Sequence, residues 1–231
     1  MEIDERVQVN AGRRRWAAHC TALLAALWAG RPLDALAGAA GKTRTILIVG
    51  DSLSAEYGLK RGSGWVALLE KRLADDPAFA DARVVNASVS GETTAGGRSR
   101  LPALLKQHRP DAVVLELGGN DALRGLPLDT TRANLQFMAQ RSRAAGAKVL
   151  ILGLQIPPNY GRQYGERFAG LFEQVAREEK AALVPFLLKG VADVADAERL
   201  FQPDRIHPTA AAQPTILGTV WPALVALLQA R

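Results

Sequence analysis

The chain holds one cysteine, Cys20, so no internal disulfide can form and no cysteine-based metal site exists. Histidine is almost as scarce. His19, His108 and His207 stand far apart with no ligand spacing between them, so neither a zinc site nor any other metal is expected. The net charge is +6, yet no block of lysine or arginine suggests a nucleic-acid groove, and the excess reads as solvated surface. Internal repeats and low-complexity tracts are missing. Gly41-Lys42-Thr43 invites a phosphate-loop reading but fails it: position 36 is Leu where the first glycine belongs, and the motif precedes a strand instead of following one. No serine sits in a complete Gly-x-Ser-x-Gly elbow either.

What is present begins with an export pattern. Arg13-Arg14-Arg15 precedes an apolar stretch over 16–30, and Ala35-Leu36-Ala37 offers an Ala-x-Ala cleavage site. His19 interrupts the apolar stretch and Arg31 closes it, short of the ~20 residues a spanning helix needs, so no stable membrane span is expected. Cleavage after Ala37 leaves a mature chain without cysteine, which suits an oxidising envelope compartment. The expected division is an N-terminal extension and signal over 1–40 and one domain over 41–231. A monomeric, periplasmic or secreted bacterial protein follows from that pattern.

From residue 45 onward, β-branched apolar runs alternate with segments of helical period. Strands are predicted over 45–49, 83–87, 112–117, 147–152 and 182–186, with helices near 64–74, 95–107, 131–144, 163–179 and 209–229. Continuous apolar strands separated by helices indicate a parallel sheet covered on both faces, hence a three-layer α/β/α sandwich. Trp65, Leu68, Leu69 and Leu73 recur at helical spacing and read as core.

Open α/β sheets bind ligands outside the carboxyl ends of their strands, so the residues after each run are the ones to read. They are Gly50-Asp51-Ser52, then 86–93 with Ser90-Gly91, then Gly118-Gly119-Asn120-Asp121, then 155–160, with Asp204-Arg205-Ile206-His207 before the last helix. A serine hydroxyl needs an adjacent base, itself oriented by a third group. His108 closes a helix and suits its dipole, which leaves His207 as the candidate base. Asp204, three residues earlier, can reach its Nδ1 and leave Nε2 for a nucleophile. The Ser52 N–H, the Gly91 N–H and the Asn120 amide can stabilise a developing oxyanion, where losing one donor commonly costs ~2.7–4 kcal/mol. Taken singly, each residue keeps a plainer reading: Ser52 as a helix cap, His207 as a solvated side chain, Gly91 and Asn120 as turn residues. Asp51, Glu116 and Asp121 read as acids that order loops by accepting backbone N–H groups. Leu123, Leu126, Ile156 and Pro157 are candidate walls for an acyl groove.

Taken together, Gly50-Asp51-Ser52-Leu53-Ser54, Gly91, Gly118-Gly119-Asn120-Asp121 and Asp204-x-x-His207 resemble the four blocks of the GDSL, or SGNH, hydrolase superfamily. The stretches 86–93, 101–108, 116–125 and 158–161 are similar to its bacterial thioesterase I/lysophospholipase/arylesterase branch, whose members are exported. The resemblance implies a flavodoxin-like five-stranded sheet of order 2-1-3-4-5, with Ser52 as nucleophile, His207 as base and Asp204 as its orienter. It implies an oxyanion hole of Ser52, Gly91 and Asn120, no cofactor or metal, and small-molecule acyl esters or thioesters as substrates. Ala122 stands where that branch commonly has a second glycine, which leaves acyl-chain preference open. A carbohydrate O-acetyl esterase and a non-catalytic binding domain are the alternatives.

Overall fold

The computed structural model describes residues 43–230. The predicted export signal and the boundary at residue 40 lie outside the described residues. Five parallel strands form one sheet: β1 (Arg44–Gly50), β2 (Ala82–Asn86), β3 (Ala112–Glu116), β4 (Lys148–Leu152) and β5 (Ala182–Val184), in the order β2-β1-β3-β4-β5. Leu47 pairs with Val85 on one side and Val113 on the other, which puts β1 inside the sheet. Ile46, Leu47, Ile48 and Val49 are wholly buried, as a strand covered on both faces requires.

The helices are α1 (Trp65–Asp75), α2 (Thr94–His108), α3 (Gly119–Leu123), α4 (Leu128–Ala144), α5 (Arg162–Glu178) and α6 (Gln213–Gln229). One face of the sheet is covered by α1 and α6, the other by α2, α4 and α5. In α5 the buried residues Phe168, Leu171, Phe172, Val175 and Ala176 fall at spacings of three and four, a single apolar stripe. Burying one such aromatic contributes roughly 1.5–3 kcal/mol. Ala210–Gln229 is apolar enough to pass as a membrane span by length and composition, with a mean hydropathy of 1.4. Its composition has a local cause, because Ile216, Leu217, Val220 and Leu224 are buried where α6 meets α1, β4 and β5.

Two departures from the expected elements matter for the site. The last strand stops at Val184 and does not run to 186, because Pro185 has no N–H for the ladder and the chain turns there. The Leu187 N–H then bonds Gly153 O, bringing the long 185–212 connection over the carboxyl end of the sheet. Asn120 and Asp121, expected in a loop, sit on the short helix α3, entered through Gly118 at φ 122°.

Candidate active site

The first strand ends at a glycine for a steric reason. A Cβ on Gly50 would stand 2.7 Å from Glu116 Oε2 and 2.9 Å from Ser54 Oγ. The chain then turns tightly, with the Ser54 and Ala55 N–H groups donating to Asp51 O and the Leu53 N–H to Asp51 Oδ1. Ser52 is thereby held at the carboxyl edge of a central strand.

Its hydroxyl meets the far end of the chain. Ser52 Oγ lies 2.8 Å from His207 Nε2, and His207 Nδ1 lies 2.6 Å from Asp204 Oδ2. Asp204 Oδ1 accepts the backbone N–H groups of Ile206 and His207, each at 3.0 Å, so the acid and the imidazole are locked in one turn. Burial works to raise the Asp204 pKa. The His207 N–H, the His207 ring and the Ile206 N–H outweigh it and bring the carboxyl down to about 2. This turn is tied back by Gln202, whose N–H donates to His207 O and whose Nε2 donates to Tyr57 O. The Tyr57 ring packs on the imidazole with centroids 4.3 Å apart and planes at 38°. Gly58, at φ 69°, admits no Cβ: one would fall 2.0 Å from Gln202 Oε1.

Two other strand ends converge on the same place. Gly91 adopts φ 78°, a left-handed conformation that favours glycine, and its carbonyl accepts Arg124 Nη2 at 2.9 Å. Asn120 Nδ2 donates to Asp51 Oδ2 at 3.1 Å and to Glu92 O at 3.0 Å. Asp121 is buried and accepts the Thr94 N–H, the Thr94 hydroxyl and the Thr131 hydroxyl, which pins α3 to α2 and α4. Asp51, Glu116 and Asp121 thus all accept backbone N–H groups, as expected of them, while His108 ends α2.

A cleft of about 450 Å³ opens beside Ser52 and His207. Leu123, Ile156 and Pro157 line it as expected; Leu126 does not, and lies 37% exposed beyond the turn at Gly125. Phe186, Leu188 and Phe201 also line the cleft and carry no signal in the sequence, because they belong to the 185–212 connection, whose position depends on the stop at Pro185. Tyr57 and Gln202 were missed as well, since neither carries a spacing signal. No group of three His, Cys, Asp or Glu side chains that could hold a metal occurs among the described residues.

A parallel sheet of this order, with a serine, an imidazole and a carboxylate in one hydrogen-bonded line beside an apolar cleft, is an arrangement suited to acyl transfer through the serine. The chain belongs to the GDSL-like lipase/acylhydrolase family, whose profile matches residues 48–213. It is 56% identical to "Esterase TesA" of Pseudomonas aeruginosa over 185 residues, 80% of this chain and 90% of that protein. It is 43% identical to "Thioesterase 1/protease 1/lysophospholipase L1" of Escherichia coli over 172 residues, 74% of this chain and 79% of that one. Among solved structures, the psychrotrophic esterase EstA from Pseudoalteromonas sp., inhibited by monoethylphosphonate, superposes with a TM-score of 0.74 at 40% identity. The match covers 81% of this chain and all of that one.

Proposed function

We propose that the protein hydrolyses carboxylic oxyesters and thioesters of apolar acyl groups through an acyl-enzyme on Ser52. The observation that carries this reading is the line Ser52 Oγ, His207 Nε2, His207 Nδ1, Asp204 Oδ2, at 2.8 and 2.6 Å, opening onto an apolar cleft. Ser52 Oγ attacks the carbonyl carbon while His207 Nε2 takes its proton. The tetrahedral oxyanion is met by the Ser52 N–H, the Gly91 N–H and the Asn120 amide. His207 then protonates the departing alcohol or thiol, and the acyl-enzyme forms. Water attacks next, deprotonated by the same imidazole, and Ser52 is released. Asp204 remains ionised throughout and stabilises the imidazolium. The acyl chain lies along Leu123, Ile156, Pro157, Phe186, Leu188 and Phe201.

The names of the relatives, an esterase and a thioesterase/protease/lysophospholipase, include this substrate class. The apolar residues among the lining favour an acyl chain over an acetylated sugar. Residues 1–40 serve as a cleavable export signal and extension, and residues 41–231 as a monomeric periplasmic or secreted catalytic domain without a membrane span. Turnover of p-nitrophenyl esters by wild type and Ser52→Ala tests the chemistry; equal rates refute it. A series from acetyl to long acyl chains, beside an acetylated oligosaccharide, tests the substrate class.

A further inference from the structure

Two acids lie beneath this site. Glu116, at the end of β3, is wholly buried, and Asp51 beside it is 2% exposed. Glu116 Oε2 accepts the Ser54 hydroxyl at 2.8 Å and the Asp51 N–H at 3.2 Å, whereas its Oε1 meets no partner. A buried carboxylate with one bare oxygen is costly. A neutral carboxyl turns that bare oxygen into an O–H donor, and Asp51, whose N–H already reaches Glu116 Oε2, is the neighbouring acid able to receive it. Burial first, then the charge of Asp51, push the Glu116 pKa well above the ordinary range, in agreement with that geometry. Asp51 in turn is faced by His207, Asn120 and Asp121.

The Asn120 amide has two hydrogens, and both are engaged: one on Asp51 Oδ2, the other on Glu92 O. Glu92 O is a backbone carbonyl one residue past Gly91, and in the proposed mechanism the oxyanion replaces it as acceptor of this hydrogen. Asp51 is therefore the fixed end from which the amide is aimed.

We propose that Glu116 and Asp51 are positioning residues forming a buried acid relay, in which neutral Glu116 donates to the Asp51 carboxylate and Asp51 holds one Asn120 hydrogen so that the other serves the oxyanion. This rests on the proposed role of Asn120 as an oxyanion donor. It also explains why position 50 must be glycine, since a side chain there would collide with Glu116.

The test is a double-mutant cycle on kcat and KM with p-nitrophenyl butyrate, each variant checked by thermal melting. Wild type and Ser52→Ala are run first; equal turnover removes the serine reading and this inference with it. With that passed, Asn120→Ala is expected to lower kcat by about 10²-fold. Asp51→Asn cannot accept from both Leu53 N–H and Asn120 Nδ2, so it is expected to lower kcat by about 10-fold or more at unchanged KM. In the double variant the two losses do not multiply: its kcat equals that of Asn120→Ala. Multiplicative losses show that Asp51 acts elsewhere and overturn the relay, with the serine chemistry intact. Glu116→Gln, which keeps both an acceptor and a donor, is expected within about threefold of wild type, and Glu116→Leu is expected to fall with Asp51→Asn. A Glu116→Gln variant with kcat as low as Asp51→Asn overturns the role of the neutral donor, whether or not Glu116→Leu folds.

Discussion

Replacing Asp51 by asparagine exchanges a buried titrating acid for a neutral isostere, and the consequence for stability can be worked out. Burial is the main influence on this carboxyl. It outweighs the hydrogen bond from the Leu53 N–H, the attraction of His207 and the bond from Asn120, and moves the pKa from 3.8 up to about 6. Because the folded pKa lies above the unfolded one, the native state still holds this proton at pH values where the unfolded chain has released it. The contribution is fully present below pH 3.8 and is lost as pH rises through about 6. At 1.36 kcal/mol per unit, the part of this shift that falls between pH 4 and pH 7 amounts to about 2 kcal/mol. Asp51→Asn removes that slope, apart from a constant offset for the weakened Leu53 or Asn120 hydrogen bond. Glu116, His207 and Asp121 also face this carboxyl, so the quantity to compare is the difference between variant and wild type at each pH. Urea unfolding followed by tryptophan fluorescence at pH 4, 5, 6 and 7 gives it. The variant should gain about 2 kcal/mol on wild type across that range. A difference that stays constant with pH refutes the account of Asp51 as a proton-holding acid.

Asp204→Asn should lower kcat by up to about 10⁴-fold, because an amide favours the wrong imidazole tautomer. Since Asp204 titrates at about 2, its stabilising charge is present above pH 3.8 and is lost only as pH falls through about 2. The acid limb of the wild-type rate profile should therefore be complete before Asp204 protonates. Tyr57→Ala should reduce kcat several-fold at unchanged KM and Tyr57→Phe should retain it, because the contact with His207 is made by the ring. Phe201→Ala and Leu188→Ala should shift the preferred acyl length, read from kcat/KM across an ester series. A Leu126→Ala variant, altered outside the cleft lining, should show the wild-type preference.

The layers of this fold were legible because strands buried on both faces read as unbroken apolar runs, and all five predicted strands are present within a few residues. The error at β5 came from extending the run 182–186 across a proline. Helix α3 was illegible because five residues cannot display a helical period. Among the candidate site residues, scarcity of histidine pointed to His207, which has Asp204 three residues before it, whereas Ser52, one of several serines at strand ends, stood out only through the family resemblance. The remaining apolar lining of the cleft offered no such handle. Phe186, Leu188 and Phe201 are ordinary core residue types, and only the path of the 185–212 connection turns them towards Ser52. Glu116 was read as a loop-ordering acid, which it is. Its bare oxygen could not be inferred without knowing what surrounds the end of β3.

The contact between Ser52 and His207 joins positions 155 residues apart. The serine follows the first strand and the imidazole sits in the turn before α6, so their contact closes only once the 185–212 connection has packed over the end of the sheet. A chain truncated before Gln202 keeps the sequence of all five strands and loses the residues that reach Ser52. On the proposed mechanism, turnover therefore reports the docking of that connection and not the formation of the sheet.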